Sequence, residues 1–146
     1  MKEDMKSMRM VAWSDDDFSL QPYDLVFLPG GHEKGVIQVI NSPKVHKLIA
    51  DYFPQTKKPS KKSCVAICHG VMVLSESSVP GGKSVLHDAT TTALPGTMEQ
   101  SIFWATRMFL GDYYKTYGAG SESVETSVKK RLDDPKQYHN SLSMSP

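Results

Sequence analysis

Short apolar runs and helical stripes follow one another along this chain. Tyr23-Asp24-Leu25-Val26-Phe27-Leu28 is an apolar run that stops at Pro29-Gly30-Gly31. A near-continuous apolar strand ended by a glycine pair has the pattern of a central parallel strand, covered on both faces. Ser42-Pro43 supplies an N-cap and a proline at the first helical position. Val45, Leu48, Ile49, Tyr52 and Phe53 then fall at i, i+3, i+4, i+7 and i+8, which predicts an amphipathic helix ending before Pro54. Thr56 to Lys62 reads as a solvated basic loop. Cys64-Val65-Ala66-Ile67 is a second apolar strand. It runs into Cys68-His69-Gly70 and a helix over Val71-Met72-Val73-Leu74.

After the turn Pro80-Gly81-Gly82, Lys83 to Thr92 reads as β-rich, the third strand of the sheet. Met98, Ile102, Ala105 and Phe109 mark one side of a third helix, with Phe103 and Trp104 deepening its burial. A fourth helix begins at Ser121-Glu122 and carries Val124, Val128 and Leu132 on one face. Glu122 and Glu125 in its first turn and Lys129, Lys130 and Arg131 in its last complement the helix dipole. Residues 1–21 show no clean period and read as a helix remnant and a loop. The polar tail from 133 to 146 reads as loose. Strand, helix, strand, helix in this order predicts an α/β domain with a mainly parallel sheet.

The 146 residues fit one domain. Lys and Arg number 17 against 16 Asp and Glu, so the chain lacks the basic footprint of a nucleic-acid binder. No apolar run approaches the roughly 20 residues that span a bilayer, and the charged start Met1-Lys2-Glu3-Asp4 lacks the apolar core of a signal peptide. A cytoplasmic protein is the expectation. Two cysteines do not staple a domain of this size, and a cytosolic cysteine is more often buried or catalytic than disulfide-bonded.

The sharpest chemical signal is Ala66-Ile67-Cys68-His69-Gly70. A nucleophile between a buried strand and a helix is forced into a tight turn that lifts it above the strand's carboxyl end, where open α/β sheets bind ligands. Gly70 lets the helix pack close behind it. The helix N-terminus and the adjacent His69 are expected to make Cys68 ionise more readily than a free thiol. A buried cysteine that simply packs is the alternative, and Cys64, inside the strand, is read that way. The second signal is Leu28-Pro29-Gly30-Gly31-His32-Glu33. With the two strands as neighbours, the Gly31 and His69 amides would hold an oxyanion, while Gly30, His32 and Glu33 would line the substrate side. His87, on the third strand, would point to the cleft or the core. His46 and His139 read as solvated. Tyr113, Tyr114 and Tyr117 are read as packing the edge of the core. His32, Glu33, His69 and His87 would have to converge to hold a metal. They lack a tight ligand spacing, so neither metal nor cofactor is expected.

Phe27-Leu28-Pro29-Gly30-Gly31-His32 followed by Ala66-Ile67-Cys68-His69-Gly70 resembles the ThiJ/PfpI family of the class I glutamine-amidotransferase-like fold. The stretches from Leu86-His87-Asp88 to Pro95, Met98-Glu99, and Leu110 to Gly118 resemble its fungal members. The resemblance implies a flavodoxin-like three-layer sandwich, a homodimer in the full-length form, and a reactive cysteine at a nucleophile elbow. It also implies cofactor-free glyoxalase or deglycase activity on small aldehydes, or a holdase chaperone function. In the glyoxalase reading Cys68 forms a hemithioacetal and His69 moves the proton. The family opens with a strand ending near a glutamate that hydrogen-bonds the cysteine, and it closes with a further strand and helix. The resemblance here covers the middle, so the chain is expected to be a single partial domain lacking the first and last elements. Glu33 lies beside the cleft at a different position from the family's glutamate. No histidine after Cys68 is followed two positions later by a glutamate, which argues against glutamine hydrolysis. The competing class is non-catalytic: a holdase or a redox-sensing thiol, with apolar faces left uncovered.

Overall fold

The computed structural model describes residues 10–140. Two parallel strands, β1 (Leu25–Leu28) and β2 (Ser63–Ala66), pair in the register Leu25–Ser63, Val26–Cys64, Phe27–Val65 and Leu28–Ala66. Among the described residues five α-helices accompany them: α1 (Ile37–Ile40), α2 (Pro43–Tyr52), α3 (Gly70–Glu76), α4 (Gly96–Leu110) and α5 (Val124–Lys129). Short 3-10 turns cover Lys34–Val36, Phe53–Thr56 and Pro135–Gln137. The fold is thus mixed α/β with a parallel sheet, as the strand–helix–strand–helix order implies.

α2 forms where the pattern places it. The Ser42 hydroxyl accepts from the Val45 amide at the N-terminus, and Val45, Ile49 and Tyr52 are buried. The Tyr52 hydroxyl lies 3.0 Å from the Tyr23 carbonyl and 3.3 Å from that of Ser63, so one buried side chain fastens the starts of both strands. α3 is the centre of the core. Every residue from Gly70 to Ser75 is buried, because α1, α2, α5 and both strands pack around it. Val124, Val128 and Leu132 of the α5 segment close the core on the expected face.

Three expectations are corrected. The stretch from Lys83 to Thr92 is not a third strand. It follows a tight turn at Gly81 and Gly82, both with positive φ, and contributes only single bridges, Ser84 to Ser78 and Thr91 to Tyr138. Its backbone groups are taken instead by the segment after Asp133: the His87 carbonyl accepts from the Asp133 amide, and the Thr91 amide donates to the Gln137 carbonyl. For the same reason the tail is ordered as far as Asn140. Tyr138 is buried, and Asp134 and Gln137 form a capping box. Residues 141–146, and residues 1–9 at the other end, lie outside the described residues; 10–21 form turns and loop.

The third correction concerns the face of α4. It docks through Glu99, Ile102, Phe103 and Thr106, whereas Met98, Ala105 and Phe109 face outward and Trp104 is 60% exposed. Apolar surface also remains on the sheet, where Leu25, Phe27, Val65 and Ile67 are all exposed.

Two contacts generate tests. A Cβ at Gly70 would strike the Leu28 carbonyl, which is backbone and has little room to yield. Gly70→Ala is expected to destabilise the fold by about 1–3 kcal/mol in denaturant unfolding, the usual cost of overpacking. Glu125 accepts from the Gly96 amide at 2.8 Å and pairs with Lys129, and these contacts hold its carboxyl below the usual range, the Lys129 bond being the largest cause. A depressed folded pKa gives stability that is present above the unfolded pKa and lost as pH falls through the folded one. Glu125→Gln should therefore cost about 1 kcal/mol at neutral pH, and the gap in melting temperature should close in acid.

Candidate active site

The two strand ends approach until only glycine fits between them. A Cβ on Gly30 would lie 2.5 Å from the Cys68 Cβ and 2.5 Å from the Ile67 carbonyl, and Gly70 presses on the end of β1 in the same way. The Ile67 amide still donates to the Leu28 carbonyl, continuing the parallel ladder one step. The chain must then turn at once into α3. It does so at Cys68, which has φ 55° and is the only non-glycine residue with positive φ among the described residues. That conformation costs about 1–2 kcal/mol for an L-residue. The strain aims the side chain up from the carboxyl end of the sheet, as the elbow pattern implies.

Cys68 is half-buried and reduced. The backbone amides of His69 and Gly31 act on its sulfur and favour the thiolate. A cavity of about 320 Å³ opens in front of it, lined by Ala66, Ile67, Cys68, Val71, Thr92, Ala93 and Leu94. The Cys68 residue therefore borders open space rather than being sealed in the core. Cys64 fits the inert reading, since burial pushes its thiol up to about 11.

The expected ease of ionisation is overturned. Burial raises the Cys68 pKa above the ordinary thiol value. The two amides pull against that rise, and the charge of Glu99 adds to it. α3 is short, and the desolvation of the thiolate outweighs what its N-terminus returns. The resting sulfur is a thiol.

His69 is 2% exposed. Its Nδ1 lies 3.4 Å from the Cys68 sulfur and its Nε2 lies 3.0 Å from the Thr116 hydroxyl. Burial, followed by the neighbouring His32, lowers its pKa, with Glu99 opposing, so the imidazole is neutral at pH 7. A neutral imidazole against a thiol is a base placed to take the proton as the sulfur attacks. The His32 ring packs edge-on against His69, with centroids 5.1 Å apart, and against Tyr114 at 4.8 Å. The His32 Nδ1 is buried without a hydrogen-bond partner among the described residues.

The predicted site residues separate into two groups. Cys68, His69, the Gly31 amide and the His32 ring come together. Gly30 serves by close packing behind the cysteine rather than by binding. Glu33 is corrected: its carboxylate accepts from the Gly35 amide at 2.5 Å, capping the 3-10 turn on the exposed surface, and so is spent outside the site. His87 lies in a turn, with its Nδ1 donating to the Ser84 carbonyl at 2.8 Å. His46 is half-buried, its Nε2 bonded to the Ile40 carbonyl, while His139 is exposed. Among the described residues no three His, Cys, Asp or Glu side chains gather in metal-binding geometry, and no helix is long and apolar enough to cross a membrane. Tyr113 and Tyr117 are partly exposed, and the Tyr117 hydroxyl donates to Asn41.

A carboxylate other than Glu33 does lie near the cysteine and histidine, at a position that apolar periodicity does not single out. Glu99 is 2% exposed and pairs with Lys115 at 2.9 Å, itself 2% exposed, and its other oxygen accepts from the Val124 amide at 3.0 Å. Its charge reaches both Cys68 and His69. A signal existed: Glu99 shares a helical stripe with Ile102, Phe103 and Thr106, where a charge demands a buried partner. Thr116 gave no signal.

An α/β domain with its cysteine at a strand-to-helix elbow, beside a buried histidine and a glycine-rich strand end, defines a class of thiol protein. A family model described as ThiJ/PfpI family-like matches residues 2–140, and the chain belongs to that family. The parallel sheet and helices are consistent with its flavodoxin-like fold. An uncharacterized protein of Schizosaccharomyces pombe is 42% identical over 41 residues, a stretch covering 28% of this chain and 15% of that protein. No solved structure matches the chain.

Alkylation tests the site. Iodoacetamide at pH 7 should label Cys68 before Cys64 by peptide mass spectrometry, yet more slowly than free cysteine. The rate should climb with pH past the ordinary thiol range. Equal labelling of the two cysteines would contradict this geometry.

Proposed function

We propose that the chain performs cofactor-independent, cysteine-dependent chemistry on small reactive aldehydes, of the glyoxalase or deglycase type. The observation that carries this reading is the Cys68 sulfur, 3.4 Å from a neutral imidazole and beside an apolar cavity, with the His69 and Gly31 amides favouring its negative charge. In the glyoxalase reaction the sulfur adds to the aldehyde carbon of a 1,2-dicarbonyl. The carbon–sulfur bond forms, the carbonyl π bond breaks, and the thiol proton passes through His69 to the new oxygen. The Gly31 and His69 amides stabilise the developing alkoxide, taking up the oxygen as the sulfur bonds to carbon.

His69 then removes the proton from the former aldehyde carbon. The resulting enediol is reprotonated on the neighbouring carbon. The first carbon is oxidised to a thioester while the second is reduced to an alcohol, so no outside electron carrier enters. Water cleaves the thioester, returning the thiol and releasing a hydroxy acid. The apolar walls formed by Ala66, Val71, Ala93 and Leu94 suit a small, weakly polar substrate.

Methylglyoxal consumption, followed by loss of the dicarbonyl and appearance of the hydroxy acid, tests this directly. Cys68→Ala is expected to abolish turnover above the uncatalysed rate, and His69→Gln to lower kcat by about 10²–10⁴-fold, the span of a general base. Equal rates for Cys68→Ala and the unaltered chain would remove the enzyme reading.

A second reading is supported by a separate observation. The exposed residues Leu25, Phe27, Val65 and Ile67 on the sheet, with Trp104, Met108 and Phe109 on α4, offer apolar surface of the kind a holdase uses. Suppression of light scattering from a heat-denatured client that survives Cys68→Ala would favour it.

A further inference from the structure

We propose that Thr116 is a positioning residue that fixes the tautomer of His69, directing the bare Nδ1 of the ring at the Cys68 thiol. This rests on the reading of Cys68 and His69 as the reacting pair and adds the group that sets their proton geometry.

Hydrogen-bond counting on two side chains carries it. The amides of Gly31 and His69 already act on the Cys68 sulfur, favouring negative charge there. In its resting form it also carries its own proton. A protonated Nδ1 would put a third donor against the sulfur and leave the S–H without an acceptor. An unprotonated Nδ1 at 3.4 Å receives the S–H instead. At the other end of the ring, the Thr116 hydroxyl is buried, 3.0 Å from Nε2 and 3.4 Å from the His32 carbonyl. A carbonyl only accepts, so the single hydroxyl proton goes to His32 and the oxygen's lone pair accepts from Nε2–H. Both ends of the imidazole therefore demand the same tautomer.

The other groups facing His69 do not supply this constraint. The His32 ring meets it edge-on without a hydrogen bond. Glu99 and Lys115 act on it through charge, and both are occupied with each other. Thr116 also reaches across to the loop that carries the Gly31 amide, because the carbonyl it donates to belongs to the next residue. One hydroxyl thus holds the base and steadies one of the two amide donors. It follows Lys115 directly in the chain, so the buried Glu99–Lys115 pair delivers it to the site.

The test is the tautomer itself. Chain with ¹⁵N-labelled histidine, assigned with the His69→Gln variant, should show His69 as the Nε2–H form at neutral pH. The Nδ1–H form in the unaltered chain overturns the proposal, and this measurement requires no variant of Thr116. Thr116→Val, nearly isosteric, should give a mixed or reversed tautomer and slow iodoacetamide labelling of Cys68 at pH 7 by about tenfold, a fraction of what a general base supplies. Thr116→Ser should restore both. A Thr116→Val chain that folds, keeps the Nε2–H tautomer and labels at the original rate would also overturn it. Neither readout uses an aldehyde, so inactivity toward methylglyoxal would count against the proposed reaction alone.

Discussion

The site depends on how closely two strand ends approach each other. β1 and β2 run parallel and in register until Leu28 and Ala66, and just beyond them Gly30 lies against Cys68 and Gly70 lies against the Leu28 carbonyl. No side chain fits at either contact. The absence of two Cβ atoms therefore decides where β2 must stop and how sharply it must turn into α3. The left-handed backbone at Cys68 follows from that confinement. So does the influence of the Gly31 amide, from the loop after β1, on a sulfur that belongs to the end of β2.

A second constraint works from the opposite side. Glu99 and Lys115 form an ion pair with almost no solvent contact, and the Val124 amide completes the carboxylate's partners. Such a pair contributes little net stability compared with apolar packing, but losing one member leaves an uncompensated charge and costs about 3–5 kcal/mol. Its value here is in placement. It joins α4, the loop after it and the start of α5, and it fixes the position of Thr116 beside His69. The α4 helix buries little else, which explains how a helix with so much exposed apolar surface still has a defined seat.

Much of this was legible in the residues. Both strands, α2 with its Ser42 cap, the elbow and the core face of α5 follow from period and punctuation. The close packing at Gly70 was also legible, because a glycine opening a buried helix has few other reasons to be there. The failures over the third strand, the tail and the face of α4 share a cause: each depended on partners distant in sequence. Lys83 to Thr92 has strand-like composition, but its hydrogen bonds go to the segment after Asp133, which itself reads as a loose tail. The stripe on α4 was assigned by its hydrophobic residues, whereas the buried stripe is organised around Glu99 and its lysine sixteen positions on. Glu33 has the chemistry of a catalytic carboxylate and the sequence position of a capping one, and local capping won. The ionisation of Cys68 depended on weighing two amides against burial, which no pattern discloses.

The protonated resting state of Cys68 has a consequence for what the sulfur can meet safely. Hydrogen peroxide attacks thiolates, and the irreversible steps to sulfinic and sulfonic acid follow from that first encounter. A sulfur whose burial keeps its proton in place presents little thiolate to a passing oxidant. In the proposed reaction a carbonyl compound would differ, because it would bring an oxygen for the two amides to hold and for the proton to reach as the bond to carbon forms. Under that proposal the same desolvation that raises the thiol pKa would make the cysteine selective, shielding it from oxidants while leaving it open to electrophiles whose addition can take up its proton.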